Sequence, residues 1–256
     1  MSTLAIIQAR MGSSRFPGKV LQPLAGKAIL LHIVQRLRAV PSIDDIVVAL
    51  PEGDSDQTLR TFCREHRISF WAGSENDVLA RFYGTAQRYG GDPVIRVTAD
   101  CPLVDPGTVD AIIRMYRTGE YDYVSVAAGA NAEGLTEGRF PDGLDAECCS
   151  FAVLEEAWRD ATDPRDREHV TRFMWRQKDR FRCGKLYAKF NTPSYRLTVD
   201  HPLDLELVSR IYSELHGEDR IFTLAEVLSL LERKPELAEI NRHLIEAQNY
   251  KALVQD

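Results

Sequence analysis

Short apolar runs alternate with amphipathic segments along the first hundred residues of this 256-residue chain. The apolar runs, each too short for a typical helix, lie at 4–7, 45–50, 68–71 and 94–98. Segments with apolar residues at helical spacing follow at 28–40, 54–66 and 77–89. Repeated strand–loop–helix units predict an α/β fold, a three-layer α/β/α sandwich around a mostly parallel sheet. Ligands on such sheets bind beyond the carboxyl ends of the strands.

The second half of the chain continues the alternation less regularly. Asp54 and Asp105 are expected to cap the helices that follow them, and Thr223 with Glu226 predicts a capping box. Further strands are predicted at 121–126, 144–149, 182–186 and 195–199. Further helices are predicted at 105–118, 151–160, 165–177, 203–215, 223–233 and 240–254. The segment 127–139 is predicted to be a mobile loop.

No linker divides the chain, so residues 1–256 are expected to form a single domain. Within it, residues 223–256 are expected to form a helical tail.

Composition excludes several classes of protein. The net charge of −6 argues against a nucleic-acid-binding protein, since such proteins have a basic surface. No apolar run approaches the roughly 20 residues that span a bilayer, and no signal-like start is present, so we expect a cytoplasmic protein without a membrane partner. The five cysteines form no CxxC pair and the six histidines do not cluster, which argues against a zinc site.

The first strand runs into a basic, glycine-bearing loop that predicts a phosphate site. Its glycine, hydroxyl and cationic residues are Arg10, Gly12, Ser13, Ser14, Arg15, Gly18 and Lys19. Backbone N–H groups and cations that converge after a strand can hold phosphates. The loop matches neither GxxxxGK[ST] nor GxGxxG, and a solvated turn is the alternative.

Two similar segments lie one hundred positions apart. The first, RVTADCPL at 96–103, and the second, RLTVDHPL at 196–203, share Arg, Thr, Asp, Pro and Leu at the same offsets. If each aspartate follows a strand, Asp100 and Asp200 meet at the ligand edge, and two such carboxylates suit Mg²⁺. The alternative is that each aspartate only caps the following helix.

The string QARMGSSRFPGK at 8–19 resembles the opening motif of the sugar cytidylyltransferases. That family includes the CMP-acylneuraminate and CMP-KDO synthetases and the spore-coat polysaccharide protein F group, to which the string is most similar. The resemblance implies a Rossmann-like sheet of the nucleotide-diphospho-sugar transferase type. It also implies that the loop, together with Gly73 and Thr98, binds CTP, that Arg15 and Lys19 act in catalysis, and that Asp100 and Asp200 hold the catalytic Mg²⁺.

Two further segments resemble family segments near the sugar. They are FPDGLD at 140–145 and REHV at 167–170, and they place Asp142, Glu168 and His169 among the substrate-binding residues. A plain turn is the alternative for Asp142, and a structural histidine is the alternative for His169.

The resemblance implies an enzyme that transfers CMP from CTP to a small sugar, an acidic 2-keto sugar, with release of pyrophosphate in surface polysaccharide or glycan biosynthesis. A homodimer is expected by analogy with the family, with residues 140–185 as a lobe on the dimer or sugar side. Four alternatives stay open: another nucleoside triphosphate, a sugar-phosphate acceptor, a metal-dependent glycosyltransferase, and a non-catalytic nucleotide-binding protein.

Overall fold

The computed structural model describes residues 2–132, 135, 137–189, 195–217 and 220–245. Its strands are β1 (Leu4–Gln8), β2 (Pro23–Leu24), β3 (Lys27–Ala28), β4 (Asp45–Pro51), β5 (Ser69–Gly73), β6 (Val94–Thr98), β7 (Tyr123–Val126), β8 (Ala146–Cys149) and β9 (Cys183–Leu186). Its α-helices are α1 (Ile29–Arg38), α2 (Gln57–Glu65), α3 (Val78–Tyr89), α4 (Pro106–Tyr116), α5 (Phe151–Asp160), α6 (Pro164–Glu168), α7 (Arg172–Arg176), α8 (Pro202–Leu215) and α9 (Leu224–Arg233). None of the helices in these residues is long and apolar enough to cross a bilayer.

The main sheet is mostly parallel, as predicted. Its strand order is β5-β4-β1-β6-β8-β7-β9, and β2 and β3 form a separate hairpin. Neighbours among β5, β4, β1 and β6 pair in parallel, as do β7 and β9, whereas β8 is antiparallel to β6 and β7. Gln8 at the end of β1 pairs with Thr98 at the end of β6. The loops that follow these two central strands therefore emerge side by side at one edge of the sheet.

Both faces of the sheet are covered by helices, which confirms the three-layer prediction. Ala5 and Ile7 of β1 face a core that includes residues of α1, α2, α4, α8 and α9. Leu4 and Ile6 face the opposite core, with residues of α3, α5 and α7. Each such fully buried Leu or Ile side chain contributes about 1.5–3 kcal/mol of transfer free energy.

Two of the predicted caps form, and Asp77 caps a third helix. Asp77 accepts a hydrogen bond from Ala80 N at the start of α3, and Asp105 accepts one from Thr108 N at the start of α4. The capping box of Thr223 and Glu226 forms at the start of α9. The local sequence fixes these boundaries because the caps satisfy N–H groups that have no partner within the helix.

The predicted strand at 195–199 does not form. The segment makes a single isolated bridge, between Asp142 and Arg196. Its backbone N–H groups bond elsewhere, with Leu197 N donating to the Asp142 carbonyl and Val199 N to the Asp100 carbonyl. Asp200 thus follows an extended segment rather than a strand.

The predicted helix at 165–177 is divided into α6 and α7. Val170, between them, has a φ of 53°, which is left-handed backbone and cannot continue a helix. Asp54 does not cap a helix either, because residues Asp54–Asp56 form a 3₁₀ turn before α2. The carboxylate of Asp56 instead accepts a hydrogen bond from Met11 N, 45 positions away.

One prediction is wrong in part, and another stays untested. The segment 127–139 contains a 3₁₀ turn, Gly129–Ala132, and residues 133, 134 and 136 lie outside the described residues, so its mobility stays a prediction. The last helix does not begin at 240, since Pro235–Ile240 is a 3₁₀ helix; residues 242–245 are helical and 246–254 lie outside the described residues. The lobe at 140–185, the homodimer and the cytoplasmic location stay predictions.

Candidate active site

The basic loop after β1 is folded so that it aims one lysine at the sheet edge. Gly18 N donates to the Met11 carbonyl over 2.9 Å, and Met11 N donates to Asp56 Oδ1 over 2.7 Å. Gly18 has a φ of 70°, a left-handed conformation that favours glycine. The 3₁₀ turn Lys19–Leu21 follows directly, and Lys19 is 9% exposed.

The Lys19 ammonium bridges the two predicted carboxylates. Its Nζ donates to Asp100 Oδ2 over 2.9 Å and to Asp200 Oδ1 over 2.8 Å. Burial lowers the pKa of Lys19, but the charges of Asp100 and Asp200 outweigh that effect and raise the pKa above its ordinary value. Lys19 is therefore a charged group held between two acids.

Asp200 is contacted by three cations. Besides Lys19, Arg15 Nη2 lies 3.1 Å and Arg196 Nη2 3.0 Å from its second oxygen, Oδ2. Burial alone raises the pKa of Asp200, and these three cations bring it below its ordinary value. Asp200 is thus held as an anion at neutral pH.

The two aspartate segments are hydrogen-bonded to each other and to β1. Val199 N donates to the Asp100 carbonyl over 2.8 Å, and Thr198 Oγ1 donates to the same carbonyl over 3.3 Å. Ala99 N donates to the Gln8 carbonyl over 2.9 Å. The loop, the first segment and the second segment therefore form one connected site.

A buried ion pair behind Asp200 was not predicted from the sequence. Arg196 Nε lies 3.0 Å from Asp204 Oδ1, and Arg196 Nη2 lies 3.1 Å from Asp204 Oδ2. Asp204 is fully buried and its Oδ2 also accepts from Asp200 N and His201 N, each over 2.9 Å. Arg196 begins the repeated segment and Asp204 directly follows it, but a charged residue eight positions after an arginine is a weak signal.

These elements enclose a polar cleft of about 180 Å³. Its lining residues are Gln8, Arg10, Ser13, Ser14, Arg15, Lys19, Val20, Thr98, Ala99, Asp100 and Asp200. Most of the residues predicted to bind the nucleotide or the metal are in this set. Gly12 and Gly73, also predicted to bind the nucleotide, are not.

Gly73 lies at the end of β5, against a buried arginine that was also not predicted. A Cβ at Gly73 would lie 3.3 Å from Arg81 Cγ, and Arg81 Nη1 donates to the Ser74 carbonyl. Burial and the nearby charge of Arg10 lower the pKa of Arg81 to about 10. The Arg81 guanidinium therefore holds the backbone that follows β5 and Gly73.

The three predicted sugar-side residues lie outside the cleft. Asp142 is partly buried, and its Oδ2 lies 3.2 Å from Arg196 Nη1, which connects it to the same ion-pair cluster as Asp200. Glu168 and His169 are exposed at the end of α6. A substrate role for these three residues stays a prediction.

The carboxylate pair fits a divalent cation. One ammonium nitrogen is within hydrogen-bonding distance of both Asp100 and Asp200, so one metal ion could contact both. Among the described residues no three His, Cys, Asp or Glu side chains are grouped to hold a metal. Two carboxylates completed by substrate phosphates and water are the donor set that Mg²⁺ prefers.

Comparison with known proteins identifies the family. The family model described as "Cytidylyltransferase" matches residues 4–222. The chain is 33% identical to the spore coat polysaccharide biosynthesis protein SpsF of Bacillus subtilis over 242 residues, which cover 92% of this chain and 96% of that protein. It is 32% identical to the 3-deoxy-manno-octulosonate cytidylyltransferase of Geobacter sulfurreducens over 113 residues, 44% of each chain.

A solved structure agrees with these relatives. The chain superimposes on a cytidylyltransferase from Leptospira borgpetersenii with a TM-score of 0.82 and 26% identity, covering 93% of this chain and 97% of that one. The loop motif, the fold and these matches lead to one conclusion: the chain belongs to the cytidylyltransferase family.

Proposed function

We propose that this chain transfers CMP from CTP to a hydroxyl of an acidic 2-keto sugar and releases pyrophosphate, in surface polysaccharide or glycan biosynthesis. The observation that carries the proposal is the Lys19 ammonium lying between Asp100 and Asp200 at the mouth of the basic loop. A cation proposed to bind the triphosphate is thereby in direct contact with the two carboxylates proposed to bind the metal.

The loop residues are proposed to bind the triphosphate. Arg10, Ser13, Ser14 and Arg15 line the cleft, and the Arg15 side chain is 53% exposed, so it is accessible to a ligand. Hydroxyl groups and guanidinium groups are strong partners for phosphate oxygens. When CTP binds, the Lys19 ammonium is proposed to exchange its contacts with the two carboxylates for contacts with the phosphates.

Asp100 and Asp200 are proposed to hold Mg²⁺. The bound ion would neutralise charge on the α-phosphate and lower the pKa of the acceptor hydroxyl. Lys19, Arg15 and Arg196 lower the pKa of Asp200, so Asp200 is ionised and ready to bind a cation at neutral pH.

The reaction needs positioning and charge stabilisation rather than a covalent protein intermediate. The acceptor oxygen forms a new bond to the α-phosphorus, the bond from that phosphorus to the β-bridging oxygen breaks, and the hydroxyl proton leaves to solvent. Arg15 and Lys19 are proposed to stabilise the charge on the departing pyrophosphate.

The acceptor is proposed from relatives and from residue placement. The Geobacter relative is named for an octulosonate, which is an acidic 2-keto sugar. Asp142 is proposed to face the acceptor, because it is connected to Asp200 through Arg196. Glu168 and His169 are proposed to contact it from α6.

The proposal is tested by pyrophosphate release from CTP, Mg²⁺ and a panel of sugars that includes 3-deoxy-2-ulosonates and aldose 1-phosphates. We expect release with CTP and a 2-ulosonate and loss of activity with a chelator. Release with UTP, or with a sugar phosphate alone, would contradict the proposed substrates. Nucleotide binding without release from any sugar would favour a non-catalytic protein.

The Lys19→Ala variant tests whether the basic loop binds the phosphates. Removing a donor to the departing charge should lower kcat/KM for CTP by about 10²–10³. Lys27→Ala is the matched control, because Lys27 is an exposed lysine on the nearby hairpin. Equal kinetics for the two variants would mean that the loop does not bind the phosphates.

A further inference from the structure

A buried hydrogen-bond chain connects the C-terminal segment to the candidate active site. Asn241 is 1% exposed, and its Nδ2 donates to the Arg196 carbonyl over 2.9 Å and to Asp204 Oδ1 over 2.8 Å. Arg196 and Asp204 in turn both contact Asp200. Asn241 lies beyond residue 222, where the match to the family model ends.

Asp204 is the centre of this series of hydrogen bonds, because its two oxygens accept five hydrogen bonds from described residues. Oδ1 accepts from Arg196 Nε and Asn241 Nδ2, and Oδ2 accepts from Arg196 Nη2 and from the backbone N–H groups of Asp200 and His201. A carboxylate offers about four lone-pair sites, so all of its acceptor capacity is used. Its orientation, and with it the backbone at Asp200, is therefore fixed.

The tail is packed so that Asn241 reaches this position. Leu230 and Leu231 of α9 are buried in the core that contains Ala5 and Ile7 of β1. Leu237 and Ile240 of the following 3₁₀ helix pack against that core. The apolar contacts dock the segment, but they do not require a polar side chain at 241. Within the described part of the tail, the Asn241 amide bonds directly to Arg196 and Asp204 beside Asp200.

We infer that Asn241 is a positioning residue for Asp200, acting through Asp204 and Arg196, and that the C-terminal segment is thereby part of the metal and acceptor side of the site. The inference rests on the proposed function, since it assigns Asp200 to the metal. Outer partners of metal-binding residues typically change metal affinity or activity by about 10–100-fold when they are removed.

Asn241→Leu tests the inference, because leucine keeps most of the side-chain volume and removes both donors. We expect the half-saturating Mg²⁺ concentration to rise and kcat to fall, each by about 10-fold or more, while the KM for CTP stays within about twofold. The KM for CTP is spared because Asn241 donates to Arg196 and Asp204 rather than to residues 10–19, which are proposed to bind the triphosphate. Leu231→Ala is the matched control, since it loosens the same tail without removing a donor.

Direct Mn²⁺ binding, followed by the electron paramagnetic resonance signal of free Mn²⁺, gives a readout independent of turnover. In the presence of CTP we expect weaker Mn²⁺ binding by Asn241→Leu than by wild type or Leu231→Ala, with all three compared at a temperature where each is folded. A wild-type protein that binds no Mn²⁺ would overturn the proposed metal site itself. A wild type that binds, with Asn241→Leu binding equally well, would overturn the positioning role alone. Equal losses in Asn241→Leu and Leu231→Ala would also overturn it, because tail packing would then account for the effect.

Discussion

The two segments that carry Asp100 and Asp200 match at five of eight positions, yet the fold supports them differently. The first, 96–103, continues from β6, whose register with β1 and β8 is fixed by strand pairing. The second, 196–203, has one isolated bridge and depends on the Arg196–Asp204 ion pair. Similar sequence thus delivers a carboxylate to the same cleft by two physical routes.

The arginine that begins each segment shows the difference most clearly. Arg96 pairs with Glu147 on the neighbouring strand β8 and donates to Gln8 Oε1 over 3.1 Å, and it does not contact Asp100. Arg196 contacts the aspartate four residues after it directly, over 3.0 Å. Arg96 therefore stabilises the sheet, whereas Arg196 stabilises the fold and also contacts the candidate site.

Replacing the two arginines should have the largest effect. Arg96→Met and Arg196→Met each leave a buried carboxylate without its cation, which costs about 3–5 kcal/mol of unfolding free energy. Of the two, Arg196→Met should also lower kcat strongly when measured on the folded fraction. Urea unfolding and pyrophosphate release, measured on the same samples, check this. Equal kcat losses would break the distinction between the two segments.

Replacing either aspartate by asparagine should have the second largest effect. The loss of activity should be nearly equal for the two residues. Asp100→Asn and Asp200→Asn are each expected to lower kcat by about 10²–10³, because each removes charge from the same proposed metal site. Circular dichroism should report an unchanged fold. Near-normal activity of either variant at saturating Mg²⁺ would remove that residue from the mechanism.

Asp145 should give the smallest effect, and it tests the acid cluster beside the first segment. Burial and the charge of Asp142 raise the pKa of Asp145 to about 7, above the value of about 4 in an unfolded chain. The folded protein therefore holds an extra proton between those pH values, and stability falls as pH rises through them. Asp145→Asn should remove that loss of stability. Between pH 4.5 and pH 8, the free energy of unfolding of the variant should therefore rise by about 2 kcal/mol relative to wild type. This value is discounted for the partial exposure of the side chain. Urea unfolding at both pH values measures it, and parallel stability curves would contradict the assignment.

The sequence was sufficient where local pattern and structure share a cause. The strands at 45–51 and 94–98 and the capped starts of α3, α4 and α9 follow from apolar runs and from caps a few residues away. The pattern failed at 195–199 because backbone partners 55 and 99 positions away replaced a sheet neighbour. It failed at Val170 because a β-branched residue gives no sign of left-handed backbone.

The residues that line the candidate site were largely predicted, whereas those that support them were not. Arg10, Ser13, Ser14, Arg15, Lys19, Thr98, Asp100 and Asp200 line one cleft, as the loop motif and the repeated segment predicted. Asp56 and Asn241 act through contacts 45 and 37 positions away, which no local spacing encodes. Arg81 and Asp204 bond to backbone groups seven and four positions away, and no motif pointed to them. Side chains that touch a ligand leave a motif, and side chains that orient them need not.

The central claim is that two differently supported carboxylates share one metal ion beside the basic loop. A double-mutant cycle of Asp100→Asn and Asp200→Asn, with kcat/KM measured at saturating Mg²⁺, tests it most directly. If the two residues hold one ion, the double variant should be about as impaired as either single variant, because the first substitution already disables the site. Losses that add in free energy would show that the two aspartates act independently, and would contradict the shared site.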